Sequence, residues 1–456
     1  MKRERKFKWT TTRIIALGFF AGILIGSFLL WLPVSSRPGE EISYLDALFV
    51  ATTSLCVTGL SPVVTATQWS WFGQGVMMLL IQFGGLGVVT FTTLLLLVLG
   101  QRITLSERLV IQDAYNLDSV AGVVRMTKRI VLGTLLIEGI GAVCYSFVFI
   151  PQFGLVEGLW KAVFHAVSAF CNAGLDTVSV DGFLIYRTDV MINITTMLLI
   201  VLGGIGFPVW FDVVRVARLI KRREIKLWDA FRKMQLYTKL AITITLALIF
   251  GGAVLILILE YNNMRTIGDL TFGQKILASL FESVTLRTAG FQTIPQDGLT
   301  EATSLLSLVL MFIGGSPSGT AGGVKTVTIV ILILSTMATV RGDHEVTAFH
   351  RKVSDNFVRR AVAVVAISFG AVLVVSMALS MTEDAAFLDV LFETVSAIAT
   401  VGLTRGLTGN LTNMGKLIVI FAMYIGRLGP ITMALAFNSK KYTGNKSLAE
   451  GKVMIG

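Results

Sequence analysis

Long apolar runs separated by short polar interruptions occupy this 456-residue chain, and the runs come in two lengths. Some approach the ~20 residues that a helix needs to cross a bilayer. Shorter ones stand between them and close on a glycine. Four of these are related: Leu48–Leu60 (LFVATTSLCVTGL), Val163–Leu175 (VFHAVSAFCNAGL), Leu280–Phe291 (LFESVTLRTAGF) and Leu391–Leu403 (LFETVSAIATVGL). The closing glycines, Gly59, Gly174, Gly290 and Gly402, lie 115, 116 and 112 residues apart. Phe precedes glycine by ten residues in three copies and by nine in the third. So regular a period marks an internal repeat, which outranks local signals.

Each copy predicts a span, a half-length helix, a glycine segment and a second span. The first repeat has a span near Arg13–Leu32, a break from Pro33 to Glu41, a half-helix near Tyr44–Leu55 and a second span near Trp71–Leu99. Ser43 and Asp46 are spaced to cap that half-helix. The second repeat has spans near Arg129–Phe149 and Asp189–Val213 around a half-helix near Gly158–Phe170. The third has a span near Leu240–Leu259, a half-helix opened by Thr271 and Gln274 at capping-box spacing, and a second span from Thr303 to Val340. The fourth has spans near Ala361–Met381 and Met414–Phe437 around a half-helix near Ala386–Ile398. About twelve helical residues rise only ~18 Å, so each half-helix enters and returns on one side. The non-helical residues after it are tolerated at membrane depth only against water or protein.

The pattern predicts an all-α polytopic membrane protein: eight transmembrane helices and four re-entrant loops, as four span–pore-helix–span repeats around a pseudo-fourfold pore. The divisions are 1–100 (repeat 1 with a cytoplasmic N-terminus), 101–214 (a polar helical linker and repeat 2), 215–340 (a basic linker and repeat 3), 341–437 (a linker and repeat 4) and 438–456 (a cytoplasmic tail).

Composition agrees. Charged residues make up 15% of the chain, against roughly 25% in soluble domains, and the mean hydropathy is +0.76. The basic start MKRERKFKWTTTR runs into Ile14–Leu32 without a small-residue cleavage site, which predicts an uncleaved span. A net charge of +11 would suit a nucleic-acid binder, but the distribution explains it otherwise. Of 39 Lys and Arg, 29 fall in the N-terminus, Gln101–Arg129, Arg215–Lys239, Arg341–Arg360 and the tail after Asn438. Seven fall in the alternate loops: Arg37, Lys161, Arg187, Arg265, Lys275, Arg405 and Lys416. Positive residues collect on the cytoplasmic side, which places both termini in the cytoplasm of a multi-pass plasma-membrane protein and removes the need for nucleic acid. Cys56, Cys144 and Cys171 lie in apolar segments, and His165, His344 and His350 lack ligand spacing, so neither a disulfide framework nor a zinc site is expected. No paired carboxylates or nucleophile constellation appear, and the chain does not read as an enzyme.

Four half-helices around one axis aim their C-terminal ends at it, each with roughly half a negative charge that favours a cation. The glycine segments then turn carbonyls toward the ion. Rings of carbonyls that replace a hydration shell are how potassium filters work, and glycine allows the positive φ that this needs. The predicted filter is Val57-Thr58-Gly59, Asn172-Ala173-Gly174, Thr288-Ala289-Gly290 and Thr400-Val401-Gly402, with potassium at its carbonyls. Thr400-Val401-Gly402 resembles the start of the potassium-channel filter sequence. The other copies keep only the glycine. A lone membrane glycine usually permits close helix packing; four at near-constant spacing, each after a half-helix, do not fit that reading.

The third repeat departs from the others. Its second span contains Gly314-Gly315-Ser316-Pro317-Ser318-Gly319-Thr320-Ala321-Gly322-Gly323-Val324-Lys325. Five glycines and a proline disfavour a helix, so this segment unwinds and is read as a gate just inside the filter. It is not a P-loop, because Val324 stands where glycine must precede the lysine and no strand leads in. Lys325 and Arg427 are costly at membrane depth and are functional candidates. Lys325 either serves the gate or snorkels to the surface; Arg427 is either a positive barrier or a brace for the loop. Arg287 either packs behind the filter or forms an extracellular salt bridge. Glu282 and Glu393 occupy equivalent half-helix positions, at the pore mouth or in the scaffold.

Together these residues resemble the Trk/Ktr/HKT superfamily of potassium transporters. The resemblance covers nearly the whole chain and is carried by the fourfold repeat, one filter glycine per repeat, GGSPSGTAGGVK and IGRLGP. Size, the lack of extra spans and the short basic tail are most similar to the membrane subunit of Ktr systems, of the KtrB/KtrD type. The resemblance implies a homodimer with one pore per subunit and potassium selectivity often helped by sodium. It also implies a cytosolic ring of RCK subunits (KtrA/KtrC-like) that bind ATP or ADP and dock on the basic face; the chain itself carries no cofactor. Gly59, Gly174, Gly290 and Gly402 match the family's filter glycines, Gly314–Gly323 its intramembrane gating loop, and Arg427 the arginine that closes against it. Pro317 departs from the small residue expected there and stiffens the loop. The implied activity is potassium uptake through a selective, gated, channel-like pore, with an obligatory sodium–potassium symporter as the alternative.

Overall fold

The computed structural model describes residues 11–87, 90 and 122–429. The expected N-terminal segment, most of the linker that begins at Gln101, the far ends of the second spans of repeats 1 and 4 and the tail lie outside the described residues.

The chain is mainly helical, in the predicted order. Repeat 1 comprises α1 (Thr11–Trp31), α2 (Tyr44–Cys56) and α3 (Trp71–Leu86). Repeat 2 comprises α4 (Val123–Phe153), α5 (Leu155–Cys171), α6 (Val190–Gly204) and α7 (Phe207–Lys221). Repeat 3 comprises α8 (Leu236–Glu260), α9 (Phe272–Thr285), α10 (Glu301–Phe312) and α11 (Thr326–Arg341). Repeat 4 comprises α12 (Asp355–Thr382), α13 (Phe387–Ala399) and α14 (Asn413–Leu428). The capping expectations hold at α2, where Ser43 Oγ accepts from the Asp46 N–H at 3.1 Å, and at α9, where Thr271 and Gln274 form the reciprocal box.

Two expectations need correction. The second span of repeat 2 is not continuous: α6 and α7 meet at a 97° bend. Gly206 takes φ +95° there, and Pro208 suits the first turn of the new helix. The first helices of repeats 2 and 4 start at Val123 and Asp355, earlier than the expected Arg129 and Ala361. A third detail is not in the pattern: one short ladder interrupts the otherwise helical fold, Thr347–Ala348 (β1) pairing antiparallel with Arg351–Lys352 (β2), with Thr347 opposite Lys352. Phe349 and His350, at φ 48° and 61°, supply the two left-handed residues of that tight turn. Among the described residues, four helices are long and apolar enough to cross a membrane: 13–31 within α1, α4, α8 and α12. The helices that follow the glycine segments are shorter, at 16, 15, 12 and 16 residues for α3, α6, α10 and α14.

Neighbouring repeats are tied in cyclic order. Trp160 Nε1 donates to Gln74 Oε1 at 2.7 Å between repeats 2 and 1. Arg187 pairs with Asp269 between repeats 2 and 3. Arg405 Nη1 donates to Gln296 O at 3.0 Å between repeats 4 and 3. Lys416 Nζ meets Asp46 Oδ1 at 2.6 Å between repeats 4 and 1. All seven basic residues of the alternate loops make specific bonds, the other four within their own repeats: Arg37 reaches Trp69 O, Lys161 Thr177 O, Arg265 Asp297 and Lys275 Tyr261 O. A carboxylate at the end of the first long helix caps the later helix in two repeats. Glu260 accepts from the N–H of Thr300, at the start of α10, at 2.9 Å, and Glu383 from that of Thr412, at the start of α14, at 3.0 Å.

Candidate functional site

Each half-helix ends in the same backbone device. The first and third residues of every triplet have positive φ: Val57 55° and Gly59 106°, Asn172 61° and Gly174 65°, Thr288 66° and Gly290 80°, Thr400 51° and Gly402 94°. For non-glycine residues, and above all for β-branched Val57 and Thr400, this conformation is disfavoured by ~1–3 kcal/mol and persists only where the surroundings impose it.

The imposing contact is a hydrogen bond from the middle residue of each triplet back to its helix. Thr58 N donates to Thr53 O at 2.9 Å, Ala173 N to Ser168 O at 2.7 Å, Ala289 N to Thr285 O at 2.9 Å and Val401 N to Ser396 O at 2.8 Å. Every acceptor residue also carries a hydroxyl, and every hydroxyl reaches the same strand. Thr53 and Ser396 accept from the N–H of Gly59 and Gly402 at 2.9 and 3.0 Å, while Ser168 and Thr285 donate to the carbonyls of Leu175 and Phe291 at 2.7 and 2.6 Å. These four braces escaped the sequence reading. Their signal was present as a Thr or Ser five residues before the middle triplet residue, four in the shorter third copy.

The four triplets meet at one place. A Cβ on Gly59 would lie 2.7 Å from Ala173 O and 3.1 Å from Gly402 Cα. One on Gly174 would lie 2.7 Å from both Ala289 O and Gly290 Cα; one on Gly290, 2.5 Å from Val401 O; and one on Gly402, 2.7 Å from Gly59 Cα. The cycle runs in chain order and closes. Among the described residues, no hydrogen bond ends on any carbonyl of the four triplets. Carbonyls gathered in a protein interior without donors require water or a cation. The half-helix C-termini favour the cation.

The Gly314–Lys325 segment is non-helical and packs against one end of this cluster. Gly322 N donates to Thr288 Oγ1 at 3.2 Å, and a Cβ on Gly322 would strike Thr400 Oγ1. The loop folds on itself through Gly314 N to Val324 O at 3.0 Å and Thr326 N to Gly315 O at 3.0 Å. Repeat 2 holds it through Ser316 N to Gly204 O and Thr320 N to Gly203 O, at 2.9 and 3.1 Å. Phe207 N donates to Ser318 O at 3.0 Å and Tyr237 Oη to Pro317 O at 2.6 Å, so the proline carbonyl is an anchor point.

Arg427 Nη1 donates to Thr320 O at 2.6 Å, and its other Nη reaches Gly84 O. This is the bracing geometry. Lys325 Nζ donates to Ala321 O at 2.6 Å, so it binds the loop instead of running to the surface. Arg287 is buried behind the third triplet, with a long 3.4 Å contact to Thr245 Oγ1 and no carboxylate among the described residues. The carboxylates of Glu282 and Glu393 are held by internal hydrogen bonds: Glu282 accepts from Gln296 Nε2 at 3.2 Å, and Glu393 from Thr404 and Thr408 hydroxyls at 2.7 and 2.5 Å. His165, at the equivalent position of repeat 2, accepts at Nε2 from Thr177 N at 3.2 Å.

Comparisons with known proteins agree with this geometry. Residues 10–445 match the family model TrkH, described as cation transport protein. The chain is 40% identical to the Ktr system potassium uptake protein B of Bacillus subtilis (strain 168), over 100% of both chains. It is 38% identical to the potassium/sodium uptake protein NtpJ of Enterococcus hirae, over 100% of this chain and 99% of that one. Its fold is similar to the crystal structure of the potassium transporter TrkH from Vibrio parahaemolyticus, with a TM-score of 0.74 and 18% identity, covering 96% of this chain and 87% of the other. The chain therefore belongs to the TrkH family of cation transport proteins and is a membrane protein.

Proposed function

We propose that the protein takes up potassium across the plasma membrane through a selective, gated, channel-like pore. The carrying observation is the convergence of four triplets whose middle N–H groups are held by their own half-helices while their carbonyls have no donor among the described residues. In this reading the triplets form the filter, and the four glycine-centred units are span–pore-helix–span repeats with eight spans in all. Gly314–Gly323 is the gate, latched by Arg427, and Lys325 closes the loop on itself. The names of the Bacillus and Enterococcus relatives support potassium as the ion. The Ktr-system name supports a membrane subunit that works with other components, here a homodimer under a cytosolic nucleotide-binding RCK ring.

The test is flux. Proteoliposomes holding the purified chain should accumulate potassium under an inside-negative potential; no flux there, with or without an added ring, rejects the reading. A second reading, obligatory sodium–potassium symport, is favoured by the potassium/sodium name of the Enterococcus relative. Uphill potassium movement driven by sodium at zero voltage would select it.

A further inference from the structure

We propose that the segment from Arg215 to Lys239, which takes in the end of α7, the connection to α8 and the first turn of α8, docks on an anionic phospholipid leaflet. The 97° bend turns α7 out of line with α6, the angle that would lay α7 along the membrane face were α6 to run along the bilayer normal. From Arg215 to Lys239 the chain is strongly basic, with nine Lys and Arg against Glu224 and Asp229. It also exposes the wrong side chains for water: Trp228 is 93% and Leu227 71% exposed. A large aromatic held out of the fold beside a cluster of cations has the composition of a membrane-interface element, in which the indole enters the headgroup region and Lys and Arg meet lipid phosphates.

The backbone that carries these groups is fixed. Asp212 accepts from Gln235 N at 2.8 Å and from Arg215 Nη2 at 2.7 Å, and Arg215 also donates to Lys233 O at 2.8 Å. Lys239 donates to Arg232 O at 3.0 Å and covers the Phe231 ring, which itself packs edge-on against Phe349. Phe231 is thereby used within the fold, whereas Leu227 and Trp228 are presented outward. Arg218, Lys221, Arg223 and Lys226 are exposed and have no side-chain partner among the described residues. A rigid platform with free cations and an outward indole complements a negatively charged leaflet. The same platform touches the Gly314–Lys325 loop through Phe207 N–Ser318 O and Tyr237 Oη–Pro317 O. An effect of lipid charge on flux would follow only if that loop is the gate.

The docking itself is tested without flux. The full-length chain is reconstituted with phosphatidylglycerol or phosphatidylcholine brominated high on the acyl chains. The emission lost in W228F isolates Trp228 from the other tryptophans. The expected result is at least twofold quenching of that component by brominated phosphatidylglycerol and weaker quenching by brominated phosphatidylcholine. Replacing Arg218, Lys221, Arg223 and Lys226 together with Gln should remove the difference, since each cation near a charged leaflet changes partitioning by about fivefold. Equal fractional quenching of wild type and W228F overturns the proposal. So does a Trp228 that stays open to aqueous iodide in phosphatidylglycerol and becomes shielded only when a cytosolic protein is added. Retention of the lipid preference by the four-Gln variant overturns the role of the cations.

Discussion

Arg427 Nη1 lies 2.6 Å from the carbonyl oxygen of Thr320, bonding the last described helix of repeat 4 to the non-helical loop of repeat 3. Its second Nη reaches Gly84 O at the end of α3, so one guanidinium holds three repeats. Hydrogen bonds to a charged group contribute ~1.5–3 kcal/mol each, and a lysine lacks the fork needed to make both. Arg427→Ala should raise potassium flux by roughly tenfold, the effect of ~1.4 kcal/mol on a closed–open equilibrium, with Arg427→Lys between it and wild type. Proteoliposome flux normalised to folded protein is the measurement. Loss of a monodisperse product in Arg427→Ala would make the residue a brace only.

Substitution at the glycines should act on selectivity. Gly290 has φ +80°, and a Cβ there would lie 2.5 Å from Val401 O and 3.1 Å from Gly174 Cα. Gly290→Ser must therefore displace two neighbouring triplets. In cells without other uptake systems, it should lower apparent potassium affinity by at least tenfold, or the preference over sodium by as much. Unchanged uptake at low potassium would remove the third triplet from the filter.

The hydroxyl braces give a finer test. Ser396→Ala leaves the Gly402 N–H without its 3.0 Å acceptor. An unsatisfied buried donor costs ~1–3 kcal/mol, so the fourth triplet should loosen and selectivity fall several-fold. Thr53→Ser keeps the equivalent bond to Gly59 and should behave as wild type. Equal effects of the two substitutions, read by competition of sodium with potassium uptake, would contradict the bracing role.

Tyr237→Phe removes only the Oη–Pro317 O bond of 2.6 Å. The loss is ~1 kcal/mol, and flux should rise about fivefold if Gly314–Gly323 is a gate. Deletion of Ser316–Gly323 should raise it further and weaken regulation. Unchanged flux in both variants would count against gating.

Glu393→Gln keeps the shape but replaces one carboxylate oxygen that accepts a hydroxyl from Thr404 or Thr408 with a donor. As a scaffold group it should lower the unfolding temperature while leaving ion preference intact in the protein that folds. Altered selectivity without altered stability would return it to the pore mouth.

Much of this was legible in the chain, because a repeated half-helix followed by glycine needs no partner to be recognised. The period, the αL-permitting glycines and the helix-breaking run from Gly314 to Gly323 are local facts of composition and spacing. The break at Gly206 was not legible. Gly206 stands among apolar residues and reads as part of a span, yet a side chain there would lie 2.6 Å from Pro317 O, a loop more than a hundred residues away. Arg427, Lys325, Arg287, Glu282 and Glu393 were identifiable as costly residues, but each had two readings. What the tertiary structure adds is their partners: the carbonyls that Arg427 and Lys325 reach and the donors that Glu282 and Glu393 accept from.

The sequence alone determined the fourfold period, the half-helices and which residues had the backbone freedom to form a carbonyl site, since these depend on propensity and spacing within a few residues. Tertiary structure alone decided that the four triplets close a ring in chain order, that Val57, Asn172, Thr288 and Thr400 are forced into left-handed conformations, and that Arg427 grips Thr320. The ring and the Arg427 contact rest on segments far apart in the chain, and the left-handed residues on the bond each triplet makes back to its own half-helix, neither of which the apolar pattern encodes.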